Sequence, residues 1–532
     1  MDLILYNGQI HTMNDDKLVC EAIAIQGNKV ASTGTNSEIL ALKTQHTQVI
    51  DLKNRLVFPG FHDSHMHLLG YGMALSQVDL SPAKSMDELI EITRSFISKN
   101  HIKPGTWVLG RGWNQDLYPS KQMPDKNDLD KISTEHPIVL NRVCGHVAVT
   151  NEKALSTLGL SSNYTEVDGG CYENGIFKEN ALNLIIDEIP FPTKETLTSY
   201  IKTGIKALHR FGITSVQSDD LCVFPKAMSQ TILDTFEEMS TQNTLNIGVY
   251  EQSLFRDLEH FKTFIKKGYT LNKTIGSFKY GPLKILGDGA LGGRTAWLKE
   301  GYKDADTFGI SMYAQDDLNN YVEMAQKENI SVAIHCIGDA MLDSALEAII
   351  AAQKKYPQHK LRHGIVHCQI TRPEQLRLMS EHHILAYVQP IFLDYDLNIL
   401  EERVGKSLAE TSYAWQTMTN LSIPIPFGSD APVETPNPIK SIFCAVNRQT
   451  LKGWPENGFV KEEKIDLYEA FKHYTRTPAY ASYDEKIKGQ LIENYLADLV
   501  VLNQTHLDDL LDTKVDYTIY NGTVVYEAHK GN

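Results

Sequence analysis

Two histidines, His65 and His67, lie two positions apart at the end of residues 59–67 (PGFHDSHMH), directly after an apolar stretch that predicts a buried strand. Side chains at positions i and i+2 of a strand point to the same face, so both imidazoles can face one point, as a divalent metal site requires. Taken alone, the pair is equally compatible with two histidines that bind no metal. A metal site therefore depends on whether other parts of the chain supply further ligands.

Further candidate ligands lie at or next to the ends of predicted strands farther along the chain: Lys284, His335, His367 and Asp430. Each has an ordinary explanation when taken singly. A histidine after an apolar strand is commonly a hydrogen-bonded core residue that binds no metal. A lysine in a strand commonly extends to solvent, and a Gly-Ser-Asp sequence after a strand commonly caps a helix. Chance alone is a much poorer explanation when all four residues lie at the strand ends of one barrel. Their joint position therefore favours a shared site.

The elements that must position these residues form an alternating pattern in the middle of the chain. Short apolar runs alternate with helical patterns, which is typical of βαβ units and a parallel sheet. Eight candidate strands lie near residues 61–67, 213–218, 246–252, 275–286, 332–335, 364–367, 385–389 and 425–429. Eight such units predict an α/β fold with a (β/α)8 TIM-like barrel, in which chemistry lies at the C-terminal ends of the strands.

Both ends of the chain are rich in β-branched residues and carry Asn-Gly turn signals. We predict that residues 1–57 and 487–532 together form a small β-sandwich domain, and that residues 58–486 form the barrel. About residues 75–200 are predicted to be a large insertion between barrel strands 1 and 2. Insertions at strand ends commonly form lids and substrate pockets.

Within the insertion, Trp113 is predicted to form an apolar wall of the substrate site and His146 to be a polar donor near the leaving group. Packing within a lid is an equally good explanation of both residues. Near the predicted fourth strand, residues 287–292 match G-x-G-x-x-G, but no clear helix and strand follow, which disfavours a dinucleotide site. We interpret these glycines as a tight loop beside which Asp288 and Arg294 line the substrate pocket.

The composition is that of an ordinary globular protein, with 532 residues, 42% apolar residues and 22% charged residues. A formal net charge of −15 argues against non-specific binding to nucleic acid or to anionic membranes. No 18-residue apolar run predicts a transmembrane helix, and the N-terminus does not resemble a signal peptide. The seven cysteines lack Cys-x-x-Cys spacing, so we expect reduced thiols and a cytoplasmic location.

Taken together, these motifs resemble those of the amidohydrolase superfamily of metal-dependent hydrolases. The chain is most similar to amidohydrolase family 3, the YtcJ-like branch that includes N-substituted formamide deformylases. The matching segments are residues 59–67 (PGFHDSHMH), 110–113 (GRGW), 284–296 (KILGDGALGGRTA), 335–339 (HCIGD), 366–369 (VHCQ) and 428–430 (GSD). With the split terminal β-domain, the resemblance covers nearly the whole chain.

The resemblance implies two groups of metal ligands. The more buried metal would be bound by His65, His67 and Asp430, and the second by His335 and His367, with Lys284 bridging both as a carbamate formed with carbon dioxide. One or two divalent ions are therefore expected, with zinc preferred and manganese, iron or cobalt as alternatives. Asp430 would also be the general base that deprotonates the metal-activated water.

The resulting hypothesis is a metal-dependent hydrolase of a non-peptide C–N bond, in an amide or an N-substituted formamide. The expected partner is a small amide-like substrate, with no nucleic acid and no membrane, and the expected assembly is a homodimer. One alternative is a mononuclear deaminase of a small heterocycle, which commonly carries a glutamate near the strand-five histidine. Residues 336–339 (CIGD) and Lys284 disfavour it. The second alternative is a metal-binding protein without catalysis, which the presence of Asp430 disfavours.

Overall fold

The computed structural model describes residues 1–16, 18–144, 146–186, 188–357 and 360–528. Residues 529–532, which belong to the predicted C-terminal β segment, lie outside the described part. The chain divides into two compact units, one formed by residues 1–71 and 204–532 and the other by residues 72–203. No helix in the described residues is long and apolar enough to cross a membrane.

The first unit contains a parallel sheet whose spatial order follows the chain order. Within the described residues its barrel strands, numbered first to seventh, are Phe61–Met66, Ile213–Ser218, Gly248–Leu254, Phe278–Leu286, Val332–Cys336, Gly364–His367 and Leu385–Tyr387. A short strand, Thr274–Ile275, pairs antiparallel with the fourth. Most positions on both faces of these strands are buried, as expected for a parallel sheet covered by helices. The prediction of a TIM-like barrel is confirmed.

The predicted eighth strand, residues 425–429, is not a regular strand. Pro424 and Pro426 have no N–H group to donate to a strand ladder, and only a single bridge, between Val388 and Phe427, is formed. The segment still joins the two edges of the sheet. Gly428 N donates to Val388 O at 2.9 Å and Ser64 N donates to Phe427 O at 3.0 Å. Asp430 is therefore brought next to the first strand by an irregular segment.

Helices follow most of the barrel strands and bury an apolar face against the sheet. In Asp339–Lys355, for example, Leu342, Leu346 and Ile349 are buried at the spacing of one helix face. The helix Lys194–His209 begins in the second unit and ends in the first. The other α-helices of this part are Ser229–Thr241, Leu258–Lys266, Gln315–Lys327, Asp339–Lys355, Pro373–Glu381, Leu393–Asp396, Leu400–Val404, Lys406–Ala409, Trp415–Asn420, Pro438–Asn447, Leu467–His473 and Arg476–Ala481. Short 3-10 helices are Lys226–Met228, Pro390–Phe392 and Lys461–Glu463.

The chain ends build two further sheets in the same unit. The first contains Leu3–Tyr6, Ala22–Gln26, Lys29–Gly34 and Gln48–Asp51, beside the helix Asn36–Leu40. The second contains Gln9–His11, Val19–Cys20, Leu56–Pro59, Leu499–Leu502, Val515–Tyr520 and Thr523–Glu527. Side chains of both sheets, such as Leu5, Val57 and Val501, share one apolar core.

The second unit is a mixed sheet with its own apolar clusters. Its strands are Val78–Asp79, Val108–Trp113, Ile138–Arg142, Val147–Thr150, Thr165–Val167, Gly170–Glu173 and Ile176–Glu179. Its helices are Met86–Lys99, Lys126–Asp130, Glu152–Leu158 and Asn183–Ile186, with 3-10 turns at Gln115–Leu117 and Asn180–Leu182. The helix Leu68–Leu75 leads into it from the first barrel strand. The domain boundaries drawn from the sequence stay predictions.

Candidate metal centre

A cluster of potential metal ligands lies at the end of the first barrel strand. His65, His67 and Asp430 each offer a ligand atom, and these atoms lie within 4.8 Å of one another. His65 Nε2 is 3.4 Å and His67 Nε2 is 3.1 Å from Asp430 Oδ1. Two imidazoles and a carboxylate at this spacing are a donor set that fits a divalent transition metal.

Hydrogen bonds from neighbouring strands orient the two imidazoles. His65 Nδ1 lies 2.6 Å from Gln252 Oε1, and Gln252 is itself held by donating to Ser64 O at 3.1 Å. His67 Nδ1 lies 2.6 Å from Asp219 O. Because both oxygens can only accept, each Nδ1 donates, and each Nε2 is left facing Asp430. Such partners commonly fix the tautomer and the direction of metal-binding histidines.

A second pair of histidines lies beside this cluster. The ring centroids of His335 and His367 are 4.3 Å apart, and the His367 ring is 5.6 Å from that of His65. His367 Nδ1 donates to Gln389 Oε1 at 2.8 Å, and His335 Nε2 donates to Gly289 O at 3.1 Å. In the neutral form each ring therefore keeps a lone pair on its other nitrogen.

Lys284 reaches the same centre from the fourth barrel strand. Its side chain is buried, and Nζ lies 3.2 Å from His65 Nε2 and 3.3 Å from Asp219 Oδ2. The amine is thus at the junction of the ligand cluster and a buried carboxylate. The structure brings together all the residues that the sequence predicts as metal ligands: His65, His67, Lys284, His335, His367 and Asp430.

Burial and mutual charge give most of these groups the protonation states that a metal site needs. Burial lowers the pKa of His65 and His335 well below the usual range and lowers that of His367 to about 4. Burial alone would raise the pKa of Asp430, but the hydrogen bond from His67 and the nearby imidazoles outweigh it and hold this pKa below its usual range. Neutral imidazoles and an ionised carboxylate are ready to bind a cation.

His67 is the exception, because its pKa is raised well above the usual range. Burial lowers it, but Cys222 and Asp430 together outweigh that effect. A protonated His67 pairs with Asp430 in the absence of a cation, and a metal ion would compete with that proton.

The backbone at the centre is held in an uncommon conformation. His367, Cys368 and Asp430 have φ values of 74°, 49° and 60°, in the left-handed region that non-glycine residues seldom adopt. Gly428 has no side chain where a Cβ would lie 2.6 Å from His65 N. Strained backbone of this kind persists where the surrounding structure imposes it, which is frequent at functional sites.

Two of the predicted substrate contacts, Asp288 and Arg294, are held by other groups of the protein. Asp288 is buried, and its carboxylate accepts hydrogen bonds from Ile337 N, Gly338 N and Trp297 N at 2.8–3.0 Å. Burial raises its pKa to about 7, and Oδ1 lies 3.5 Å from His335 Nε2. In this arrangement Asp288 supports the loop next to His335. Arg294 pairs with Asp304, with Nη2 and Oδ2 2.6 Å apart.

Trp113 and His146 belong to the second unit and make contacts within it. Trp113 is buried in the apolar core of that unit and donates from Nε1 to Leu140 O at 2.8 Å. His146 is largely exposed and lies 3.0 Å from Glu179 Oε2. These contacts fit the packing alternative for Trp113, and the substrate roles of both residues stay predictions.

Sequence reasoning missed the residues that support the ligands. Asp219, Cys222, Gln252 and Gln389 were not singled out, although Asp219 and Gln389 come just after the second and seventh barrel strands. The rule that chemistry lies at strand ends would have found those two. It would not have found which histidine each one contacts, because that depends on how strands distant in sequence meet.

A family model described as the amidohydrolase family matches residues 48–526. The chain therefore belongs to the amidohydrolase family, a family of hydrolases, and the resemblance is confirmed. YtcJ of Bacillus subtilis (strain 168), whose name assigns it as an amidohydrolase, is 29% identical, and the match covers 99% of this chain and 100% of that protein.

Two other relatives match along nearly their whole length. The N-substituted formamide deformylase of Arthrobacter pascens is 23% identical, with 99% of this chain and 98% of that protein covered. The solved structure of an uncharacterized metal-dependent hydrolase from Pyrococcus furiosus has a TM-score of 0.77 at 28% identity, covering 96% of this chain and 99% of that one.

Proposed function

We propose that this protein hydrolyses a non-peptide C–N bond, in an amide or an N-substituted formamide, with a divalent metal bound at the candidate centre. The observation that carries the proposal is the convergence of His65 Nε2 and His67 Nε2 on Asp430 Oδ1, at 3.4 and 3.1 Å. The names of the relatives support it, since one is a formamide deformylase and another a metal-dependent hydrolase.

When bound, one or two divalent ions would polarise the scissile carbonyl and lower the pKa of a water molecule. His65, His67 and Asp430 would hold the first ion, and His335 and His367 would hold the second. Lys284, as a carbamate, would supply a bridging oxygen. Gln252 and Gln389 would keep the imidazoles in the required orientation through their hydrogen bonds.

Asp430 is the candidate general base. Its carboxylate is ionised and directed at the two imidazoles, so it can take a proton from a water molecule in the centre and return it to the leaving amine. The His67 hydrogen bond is one cause of its low pKa.

A mononuclear deaminase is the second candidate, and the contact of Lys284 Nζ with Asp219 Oδ2 at 3.3 Å favours it. An ammonium group satisfied by a buried carboxylate is not a metal ligand. In that case His65, His67, His335 and Asp430 would be the relevant set. Metal stoichiometry separates the two candidates.

The test of the proposal is activity of the protein loaded with Zn²⁺, Mn²⁺ or Co²⁺ on N-alkyl formamides, N-acyl amines and aminoheterocycles. We expect release of formate or another acid together with an amine. Ammonia released from a heterocycle would support the deaminase instead. Lack of turnover across the panel, in protein that has bound metal, would contradict both and support a binding protein.

Asp430→Asn should retain metal but lose nearly all turnover, because the amide oxygen can still be a ligand while the group no longer accepts the proton. We expect kcat to fall by roughly 10²–10⁴-fold, the usual contribution of general acid–base catalysis. Metal content and kcat are measured on the same sample. Asp306→Asn, which removes an exposed acid, is the matched control. An active Asp430→Asn enzyme would exclude Asp430 as the base.

A further inference from the structure

A small cavity of about 190 Å³ lies among loops that follow the fourth to seventh barrel strands and the segment after Asp430. Phe392 forms part of its wall and stacks on the ring of His367, with 5.8 Å between the ring centroids. Val433, also in the wall, donates its backbone N–H to Asp430 O at 2.9 Å. The cavity is therefore adjacent to the metal centre.

This cavity combines apolar walls with acidic groups. Leu291, Ile337 and Phe392 contribute apolar surface, and Asp396 and Glu434 contribute carboxylates. None of the described residues that line it is a lysine, an arginine or a histidine. A ligand group here meets negative charge with no compensating cation in the wall.

Gln369 also lines the cavity. Its Nε2 lies 2.8 Å from Asp396 Oδ2 and 2.9 Å from the Tyr413 hydroxyl, which itself donates to Asp396 Oδ2 at 2.6 Å. A carboxylate can only accept, so the amide nitrogen must face Asp396, and this fixes the orientation of the amide. Gln369 Oε1 is left buried without a partner among the described residues, which is costly unless a ligand donates to it.

Glu434 carries the second uncompensated charge. It is half-buried, and no ion pair to it is found in the described part of the chain. Burial raises the pKa of Glu434, and the carboxylates of Asp394 and Asp396 raise it further. A positively charged ligand group would relieve this repulsion, whereas a carboxylate would increase it.

We propose that the cavity binds an amine-bearing end of the substrate, so that the substrate class is N-acyl or N-formyl amines with a compact apolar chain ending in an ammonium group. This inference rests on the proposed function. The apolar walls hold the chain, and Glu434 and Gln369 accept hydrogen bonds from the ammonium group. Substrates that end in a carboxylate are rejected by charge.

The experiment compares three N-formyl alkylamines of one chain length that end in a primary amine, a methyl group or a carboxylate. With zinc-loaded protein we expect kcat/KM to be at least about tenfold higher for the amine than for the methyl compound, and lowest for the carboxylate. Glu434→Gln should remove most of this preference, chiefly by raising KM for the amine substrate. Glu401→Gln, which removes an exposed acid that is not among the lining residues, should keep the wild-type pattern.

A binding measurement separates failure of this inference from failure of the proposed function. We expect a free diamine of the same length to raise the Tm of wild type but not the Tm of Glu434→Gln. The diol of the same length, which carries no charge, should raise neither Tm. Equal kcat/KM on all three substrates, unaffected by Glu434→Gln, would overturn the amine site while leaving the hydrolase intact. Diamine binding lost in Glu434→Gln, without turnover of any substrate, would keep the site and overturn the hydrolase.

Discussion

The imidazole of His65 presents Nε2 to Asp430 because Gln252, on the third barrel strand, accepts a hydrogen bond from its Nδ1. His367 depends in the same way on Gln389, which follows the seventh strand. At the scale of single residues, the sequence specifies the residue type of each ligand. The orientation of its side chain is set by a partner elsewhere in the chain. The buried contact of Lys284 with Asp219 belongs to this scale too, because an ammonium group paired with a carboxylate is not a metal ligand.

If Lys284 carries the proposed bridging carbamate, Lys284→Ala should lower the bound metal from two ions to one or fewer per chain, because the bridging oxygen would be lost. Short-chain carboxylic acids should restore part of the activity, since their carboxylate can occupy the vacated space. Elemental analysis counts the metal, and Lys327→Ala, at an exposed helix position, is the control. A wild-type protein with one ion and an unmodified Lys284 would show that the bridging carbamate is wrong.

At the scale of elements, His363 joins the fifth and sixth barrel strands to a helix. Its Nδ1 accepts from Val332 N at 3.1 Å, and its Nε2 donates to Gln326 Oε1 at 2.7 Å. Nδ1 can accept this hydrogen bond only when the ring is neutral, and burial lowers the pKa of His363 from 6.5 to about 4. This residue, which precedes the strand that ends in His367, stabilises the barrel at the end away from the metal centre.

The pH dependence of stability follows from that shift. The unfolded state takes up a proton below about pH 6.5 while the folded state does not, so the contribution of His363 is fully present above pH 6.5 and is lost as pH falls towards 4. The loss amounts to about 3 kcal/mol of unfolding free energy. Urea unfolding at several pH values should show His363→Gln less stable than wild type at pH 7.5 and less sensitive to acid. An exposed-site control, His46→Gln, should follow wild type; equal acid sensitivity in His363→Gln would contradict this account.

At the scale of the whole molecule, the two chain ends hold the start of the barrel. Leu499–Leu502 pairs antiparallel with Leu56–Pro59, and Gly60 alone separates that strand from the first barrel strand. Phe58 also stacks on Phe471 with ring centroids 4.0 Å apart. The position of His65 therefore depends on a strand and a helix that lie far along the chain from it.

Removal of residues 487–532 should prevent formation of a soluble barrel, because the strand Leu56–Pro59 loses its partner and the shared core of the terminal sheets loses one side. Removal of residues 523–532 alone, which deletes the edge strand Thr523–Glu527, should leave a folded protein of lower Tm. Solubility and circular dichroism of both truncations test this. A folded, metal-binding protein without residues 487–532 would show that the terminal sheets are dispensable.

The sequence by itself determined the fold class and the identity of the candidate ligands, because both follow from local patterns. Apolar periodicity marks the barrel strands, and chemistry in such a barrel lies where strands end. The same patterns misassigned residues 425–429 as a strand, since Pro424 and Pro426 interrupt the ladder while the segment still contacts both neighbours.

Only the tertiary structure decided which groups surround each ligand. Asp219, Gln252 and Gln389 contact Lys284, His65 and His367 across strands that are far apart in sequence. It also set Trp113 in the core of the second unit and left Glu434 beside an acidic cavity. Orientation, burial and uncompensated charge are properties of packed neighbours, and no local pattern of residues specifies which neighbours those are.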